Sequence, residues 1–101
     1  MNNPTQHTFD LHALQATEDE YHRNEARAAN KNYGCCCLCG RAVNPKRATW
    51  VECINGELEA VSQELPEEHE LRDERRPGYM GSFLVGPYCQ RKIPARFKFK
   101  I

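Results

Sequence analysis

Residues 36–40 are Cys-Cys-Leu-Cys-Gly, and the fold predicted for the chain depends on this stretch. Cys36 and Cys39 are three positions apart, a spacing that lets two thiolates bind one metal ion while the amides between them point at the sulfur atoms. Gly40 follows directly and lets the chain turn back, because glycine adopts backbone angles that are closed to other residues. The stretch therefore predicts a zinc knuckle.

A third cysteine, Cys89, lies at the start of a short helix predicted over residues 88–93. The partial positive charge at the start of a helix favours a thiolate there. A knuckle, a β-hairpin and a helix-borne ligand follow one another in this order in a treble-clef finger. The predicted fold class is a small α+β, zinc-stapled module, treble-clef-like or zinc-ribbon-like, with an N-terminal helix.

A structural zinc ion takes four ligands, so the three cysteines need a fourth partner. Cys53 is the first choice, although a cysteine on the inner face of a hairpin is otherwise a small buried hydrophobic residue. His69, Cys37 and Cys35 are the alternatives. The predicted cofactor is one structural Zn²⁺.

Other uses of the six cysteines fit the sequence less well. Residues 1–10 are polar, so we expect no secretory signal, a cytoplasmic location and few stable disulfides. The apolar runs are too short to span a membrane. A redox or metal-handling protein is an alternative, but no βαβ pattern surrounds the Cys-x-x-Cys pair. No serine elbow or phosphate-binding glycine loop occurs, so we expect no enzymatic activity.

Residues 48–62 are predicted to form a β-hairpin around Asn55-Gly56, the dipeptide that best fits a type I′ turn. A two-residue turn pairs Cys53 with Leu58, and alternation along the strands then sorts the side chains onto two faces. The predicted inner face carries Thr49, Val51, Cys53, Leu58 and Ala60. On the other face, Trp50 is expected either to be covered by the N-terminal helix or to meet a partner.

The pattern of residues divides the chain into three parts. An N-terminal helical extension covers residues 1–34, the zinc-binding module covers 35–93, and a basic tail covers 94–101. Within the module, a charged acidic loop at 64–77 follows the hairpin and precedes a strand at 79–85.

The N-terminal extension contains a helix start signal. Thr17 is followed three residues later by Glu20, the pattern of a capping box, so the main helix is predicted to begin here. Residues 1–8 are expected to be disordered, and Asn30 and Asn32 to end the helix. Its apolar stripe is weak, so the helix either packs lightly on the module or is offered to a partner.

The charge of the chain is zero overall but unevenly distributed. Its 101 residues include 14 basic and 14 acidic side chains. The 64–77 loop holds six acids and three bases, whereas residues 78–101 hold five bases and no acid. The residues predicted to bind a partner are Arg91, Lys92, Arg96, Lys98, Lys100, Phe97, Phe99 and Trp50.

Three strings carry a resemblance to a known group: Cys-Cys-Leu-Cys-Gly-Arg-Ala-Val, Trp-Val-Glu-Cys-Ile-Asn-Gly and Gly-Pro-Tyr-Cys-Gln-Arg-Lys. Residues 35–93 resemble small zinc-finger proteins of bacteriophages and other mobile elements, which combine a Cys-x-x-Cys-Gly knuckle, a Trp-Val hairpin and a Gly-Pro-x-Cys motif. The resemblance implies Cys36, Cys39 and Cys89 as ligands and more often places an aliphatic residue at Cys53. It implies no activity.

Two kinds of partner are consistent with these features. The first prediction is an accessory protein of a phage or mobile element that binds, and inhibits or modulates, a host protein complex. The alternative is a nucleic-acid-binding zinc finger that uses its basic tail, with Tyr88, Phe97 and Phe99 stacking on bases.

Overall fold

One main helix and two antiparallel sheets are formed by the residues that the computed structural model describes, 6–29 and 34–100. The strands are β1 (Thr8–Asp10), β2 (Gly34–Cys35), β3 (Ala42–Val43), β4 (Thr49–Ile54), β5 (Glu59–Val61) and β6 (Gly81–Val85). The helices are α1 (Glu18–Ala28) and the short α2 (Pro87–Gln90), with single 3-10 turns between elements. The chain is thus a small α+β protein.

The Asn55-Gly56 dipeptide forms the turn between β4 and β5. Both residues have positive φ angles, 62° and 66°, which a type I′ turn requires. The N–H of Glu57 donates across the turn to the carbonyl of Ile54 at 3.3 Å. The structure therefore contains a hairpin at this dipeptide, but its connection is residues 55–58 and not the two residues predicted.

The register of this hairpin differs from the prediction. Cys53 pairs with Ala60 instead of Leu58. The carbonyl of Leu58 is engaged elsewhere, because it accepts a hydrogen bond from the N–H of Leu11 at 2.9 Å. The slip is an even number of residues, so each side chain keeps its predicted face. Val51, Cys53 and Ala60 are fully buried together.

The main sheet has the strand order β1-β5-β4-β6, and every pair in it is antiparallel. Strand β6 falls within the strand predicted at 79–85. Strand β1 corrects the expectation that residues 1–8 are disordered, since Thr8 pairs with Val61; residues 1–5 lie outside the described part of the chain. This segment pairs with the open edge of β5. The two are far apart in sequence, so no local sequence pattern predicts the pairing.

Helix α1 begins as the sequence predicts. The N–H of Glu20 donates to the hydroxyl of Thr17 at 3.2 Å. The predicted stops at Asn30 and Asn32 lie outside the described residues. The helix packs against the small sheet of β2 and β3, with Ala28 buried. It therefore covers the module itself.

The C-terminal segment is part of the core, whereas residues 94–101 were expected to form a basic tail. Phe97 is completely buried in a 3-10 turn, Ala95–Phe97. Phe99 pairs with Trp50 through two backbone hydrogen bonds of 2.8 and 2.9 Å. The backbone of Trp50 is thus paired with this segment.

The largest fully buried side chains are Phe97, Leu11, Leu38, Ile54, Val51, Val61 and Val85. They come from the extension, the knuckle, the hairpin and the C-terminal segment, so these parts share one interior. Within residues 6–29 and 34–100, no helix is long and apolar enough to cross a membrane.

Candidate metal centre

Three cysteines from two distant parts of the chain meet between the small sheet and α2. The sulfur atoms of Cys36, Cys39 and Cys89 all lie within 4.8 Å of one another. Their exposed fractions are 0%, 9% and 4%. The structure thus brings together the three residues that the Cys-x-x-Cys spacing and the helix-borne cysteine predict as ligands, and the group is able to hold a metal ion.

The turn at 36–40 has the form that the sequence predicts for a knuckle. The N–H of Leu38 lies 3.4 Å from the sulfur of Cys36, and the N–H of Gly40 donates to the carbonyl of Cys36 at 2.9 Å. Gly40 has a φ of 81°, and a Cβ there would lie only 2.5 Å from the carbonyl oxygen of Tyr21. Only glycine satisfies both the turn and the close approach of α1.

Backbone amides oppose the effect of burial on the pKa values of the cysteines at this turn. Burial raises the pKa of the Cys36 thiol, but N–H groups of Gly86, Leu38 and Cys39 outweigh it and lower that pKa. Burial raises the pKa of Cys39, with partial opposition from the N–H of Arg41.

Cys89 is the most difficult of the three to ionise. Its pKa is raised by burial and then by the nearby charge of Cys36. Three thiolates at this separation repel one another unless a cation lies between them. The group is therefore suited to bind a metal ion with release of protons.

Helix α1 supports the knuckle through a buried amide. The side chain of Asn24 donates to the carbonyl of Cys39 at 2.8 Å, and the N–H of Ala16 donates to the carbonyl of Leu38 at 2.9 Å. Sequence reasoning missed Asn24. Its position on the helix, in line with Tyr21 and Ala28, is the available signal, because a polar residue on the packed face needs a partner.

No fourth cysteine, histidine or carboxylate among the described residues joins the group within 4.8 Å. Cys53 is buried in β4, where burial and then Glu52 raise its pKa to about 11. Cys35 and Cys37 are half-buried beside the knuckle, and burial raises the pKa of Cys37 to about 12. The ring of His69 accepts a hydrogen bond from the N–H of Leu71 at 3.1 Å, within the 64–77 segment.

The residues predicted to bind a partner are scattered among different environments. Arg91, Lys92 and Lys100 are exposed. Lys98 donates to the carbonyl and side chain of Gln90 at 2.7 and 2.8 Å. Arg96 is half-buried, and its guanidinium lies 4.6 Å from the ring centre of Phe97. Phe99 and Trp50 are also half-buried. The structure does not gather these side chains at one site.

A second buried cluster lies on the outer face of the main sheet. Glu52, only 6% exposed, accepts hydrogen bonds from Arg72 at 3.0 Å, Gln63 at 2.9 Å and Tyr79 at 2.7 Å. Burial and then the bond to Glu52 raise the pKa of Tyr79 to about 12. The 64–77 segment folds over Glu52, and together they line a cavity of about 850 Å³. The sequence alternation placed Glu52 outside and did not predict this cover.

Comparison of the chain with protein-family models, with curated proteins and with solved structures found no match. The site is therefore interpreted from its own geometry.

Proposed function

We propose that the chain is a zinc-stapled, treble-clef-like binding module in which Cys36, Cys39 and Cys89 hold one zinc ion. The observation that carries the proposal is the convergence of three buried thiols, two from a knuckle and one from a short helix, within 4.8 Å. Thiolate sulfur is a ligand that selects zinc among the common divalent metals of cells. The ion ties the knuckle to α2 across the core of the module.

A zinc ion held by the three cysteines would have no fourth ligand from the described residues, so water would complete its coordination. Cys39 is the most exposed of the three cysteines, at 9%. Cys53, the ligand first expected from the sequence, lies outside the group. Its burial among Val51 and Ala60 supports a role as a core residue instead.

The module binds a partner macromolecule and performs no reaction. Of the groups that line the cavity over Glu52, Glu52 and Arg72 pair at 3.0 Å, and Asp73 and Arg75 pair at 3.2 Å. We assign these ionised groups a structural role, which is to hold the 64–77 segment over Glu52. The partner is either the host protein complex or the nucleic acid expected from the sequence, and these two require different surfaces.

Metal analysis of the purified protein tests the zinc proposal. We expect one zinc ion per chain, and substitution by Co²⁺ should give the visible absorption of a tetrahedral thiolate site. Cys36→Ser, Cys39→Ser and Cys89→Ser should each abolish stoichiometric metal. The matched controls Cys35→Ser, Cys37→Ser and Cys53→Ser should retain it. Full metal content in Cys89→Ser, or its loss in Cys53→Ser, would contradict the proposed ligand set.

A further inference from the structure

Two segments that are far apart in sequence form one cationic face. Residues 34–48 hold three bases and no acid, and residues 86–100 hold five bases and no acid. The fold places the turn Pro45–Arg47 beside the C-terminal segment, because Arg47 and Lys100 line the same cavity. Although the net charge of the whole chain is zero, all charged side chains of these two segments are therefore positive.

The groove between these segments has an apolar floor and a basic rim. Its volume is about 350 Å³, near the lower end of the roughly 300–1,000 Å³ range of ligand sites. Val43, Ala48, Val85 and Pro87 are among the residues that line it, with Arg47 and Lys100 exposed at its edge. No carboxylate lines this groove among the described residues.

An exposed aromatic side chain belongs to the same short helix as the groove residue Pro87. Tyr88 follows Pro87 in α2 and is 54% exposed. The ammonium of Lys92 lies 4.7 Å from its ring centre, and the guanidinium of Arg91 lies 5.7 Å away. An exposed ring with two cations over it suits a ligand that has both aromatic and anionic groups.

We propose that this face binds single-stranded nucleic acid. Arg47, Lys100, Arg91 and Lys92 contact phosphates, Tyr88 stacks on a base, and the apolar groove receives a neighbouring base. The inference rests on the proposed function as a binding module and names its partner. An acidic peptide would satisfy the cations but would leave the exposed ring and the apolar groove without a matching group.

This site differs from the tail expected from the sequence. Phe97 is buried, so its ring cannot stack on a base, and Lys98 is held by Gln90, a residue that lines the groove. Arg47, which comes from the turn after β3, takes part instead. The site is thus a folded surface shared by two segments.

Fluorescence anisotropy with a labelled thymidine oligonucleotide of about 12 nucleotides tests the proposal, since such sites span roughly 4–16 nucleotides. Tyr88→Ala should weaken binding roughly 5- to 150-fold, whereas Tyr88→Phe should keep it. The double variant Arg47→Ala/Lys100→Ala should weaken binding and reduce the slope of log K against log salt by about 1.4. Arg75→Ala, at a 91% exposed arginine of the acidic segment, is the control and should bind as the wild type does.

Three results would overturn the inference. These are no salt-sensitive binding of the oligonucleotide, unchanged binding in both Tyr88→Ala and the double variant, or equal binding of a poly-glutamate peptide of matched charge that persists in Tyr88→Ala. The last would assign the face to an acidic protein segment. Zinc content and thermal unfolding are measured on every sample, so a folded, zinc-loaded protein that does not bind contradicts this inference alone. Binding by a folded, zinc-free protein contradicts only the zinc staple.

Discussion

The cysteine group and the Glu52 cluster both bury groups that carry negative charge when they lose their protons, but only one contains its own cation. Arg72 lies 3.0 Å from Glu52, and Gln63 and Tyr79 also donate to that carboxylate. At the cysteine group, the donors to sulfur are backbone N–H groups and the neighbouring thiols. The difference indicates that one site is complete as folded, while the other could hold an ion from outside.

Removal of the metal should produce the largest effect, because it takes away the cation of the cysteine group. Structural zinc contributes roughly 10–16 kcal/mol to the folding of small zinc domains, comparable to the whole stability of about 5–15 kcal/mol of a typical domain. We expect a strong zinc chelator to abolish the cooperative thermal transition seen by circular dichroism.

Readdition of Zn²⁺ should restore that transition, and the chelator already saturated with zinc should leave it intact. A melting curve that the chelator does not change would show that the cysteine group, like the Glu52 cluster, needs no added ion in the folded protein. The two sites would then not differ in their need for a cation.

Loss of one partner at the Glu52 cluster should produce the second largest effect. In Arg72→Met, the 7% exposed side chain of Glu52 remains buried without its cation. Removing one member of a buried ion pair costs about 3 kcal/mol, and replacing both members is often nearly neutral. We therefore expect urea unfolding to show this loss in Arg72→Met and a large recovery in the double variant Glu52→Gln/Arg72→Met.

Metal content should stay at one ion per chain in both variants, since the cluster and the cysteine group are separate sites. Arg75→Ala is the matched control because its ion pair with Asp73 is exposed, and it should leave unfolding unchanged. The single variant Glu52→Gln completes the cycle, and losses of unfolding free energy that simply add in the double variant would show that Glu52 and Arg72 are not energetically coupled.

The two sites also differ in how far the sequence predicts them. The knuckle depends on local spacing, so Cys36, Cys39 and Gly40 were identified directly, and Cys89 followed from its place before a short helix. The Asn55-Gly56 turn is equally local, and both residues adopt the positive φ that it requires.

Long-range pairings account for what the sequence did not predict. Arg72 is twenty positions from Glu52, and neither residue carries a local signal of the other. The carbonyl of Leu58, next to the hairpin turn, accepts a hydrogen bond from the N–H of Leu11, which is 47 positions away in the sequence. Residues 94–101 were expected to form a basic tail, but tertiary packing places Phe97 in a buried turn.

The smallest expected effect tests how the Glu52 cluster responds to alkaline pH. The pKa of Tyr79 is raised from 10.0 to about 12 by burial and then by its bond to Glu52. A raised pKa means that the folded state holds the proton more tightly, so this stabilisation is complete below about pH 10. It is lost as the pH rises toward about 12, because the unfolded chain releases its proton first.

Tyr79→Phe removes both the hydrogen bond and this titration. We expect it to lower the free energy of unfolding by about 1 kcal/mol near neutral pH. The gap to the wild type should then narrow between about pH 10 and 12. Taking the difference at each pH cancels the contribution of Cys37 and Cys53, whose raised pKa values fall in the same range. Tyr88→Phe, on the exposed face, is the control, and a gap for Tyr79→Phe that is constant with pH would show that the bond to Glu52 does not hold the phenolic proton.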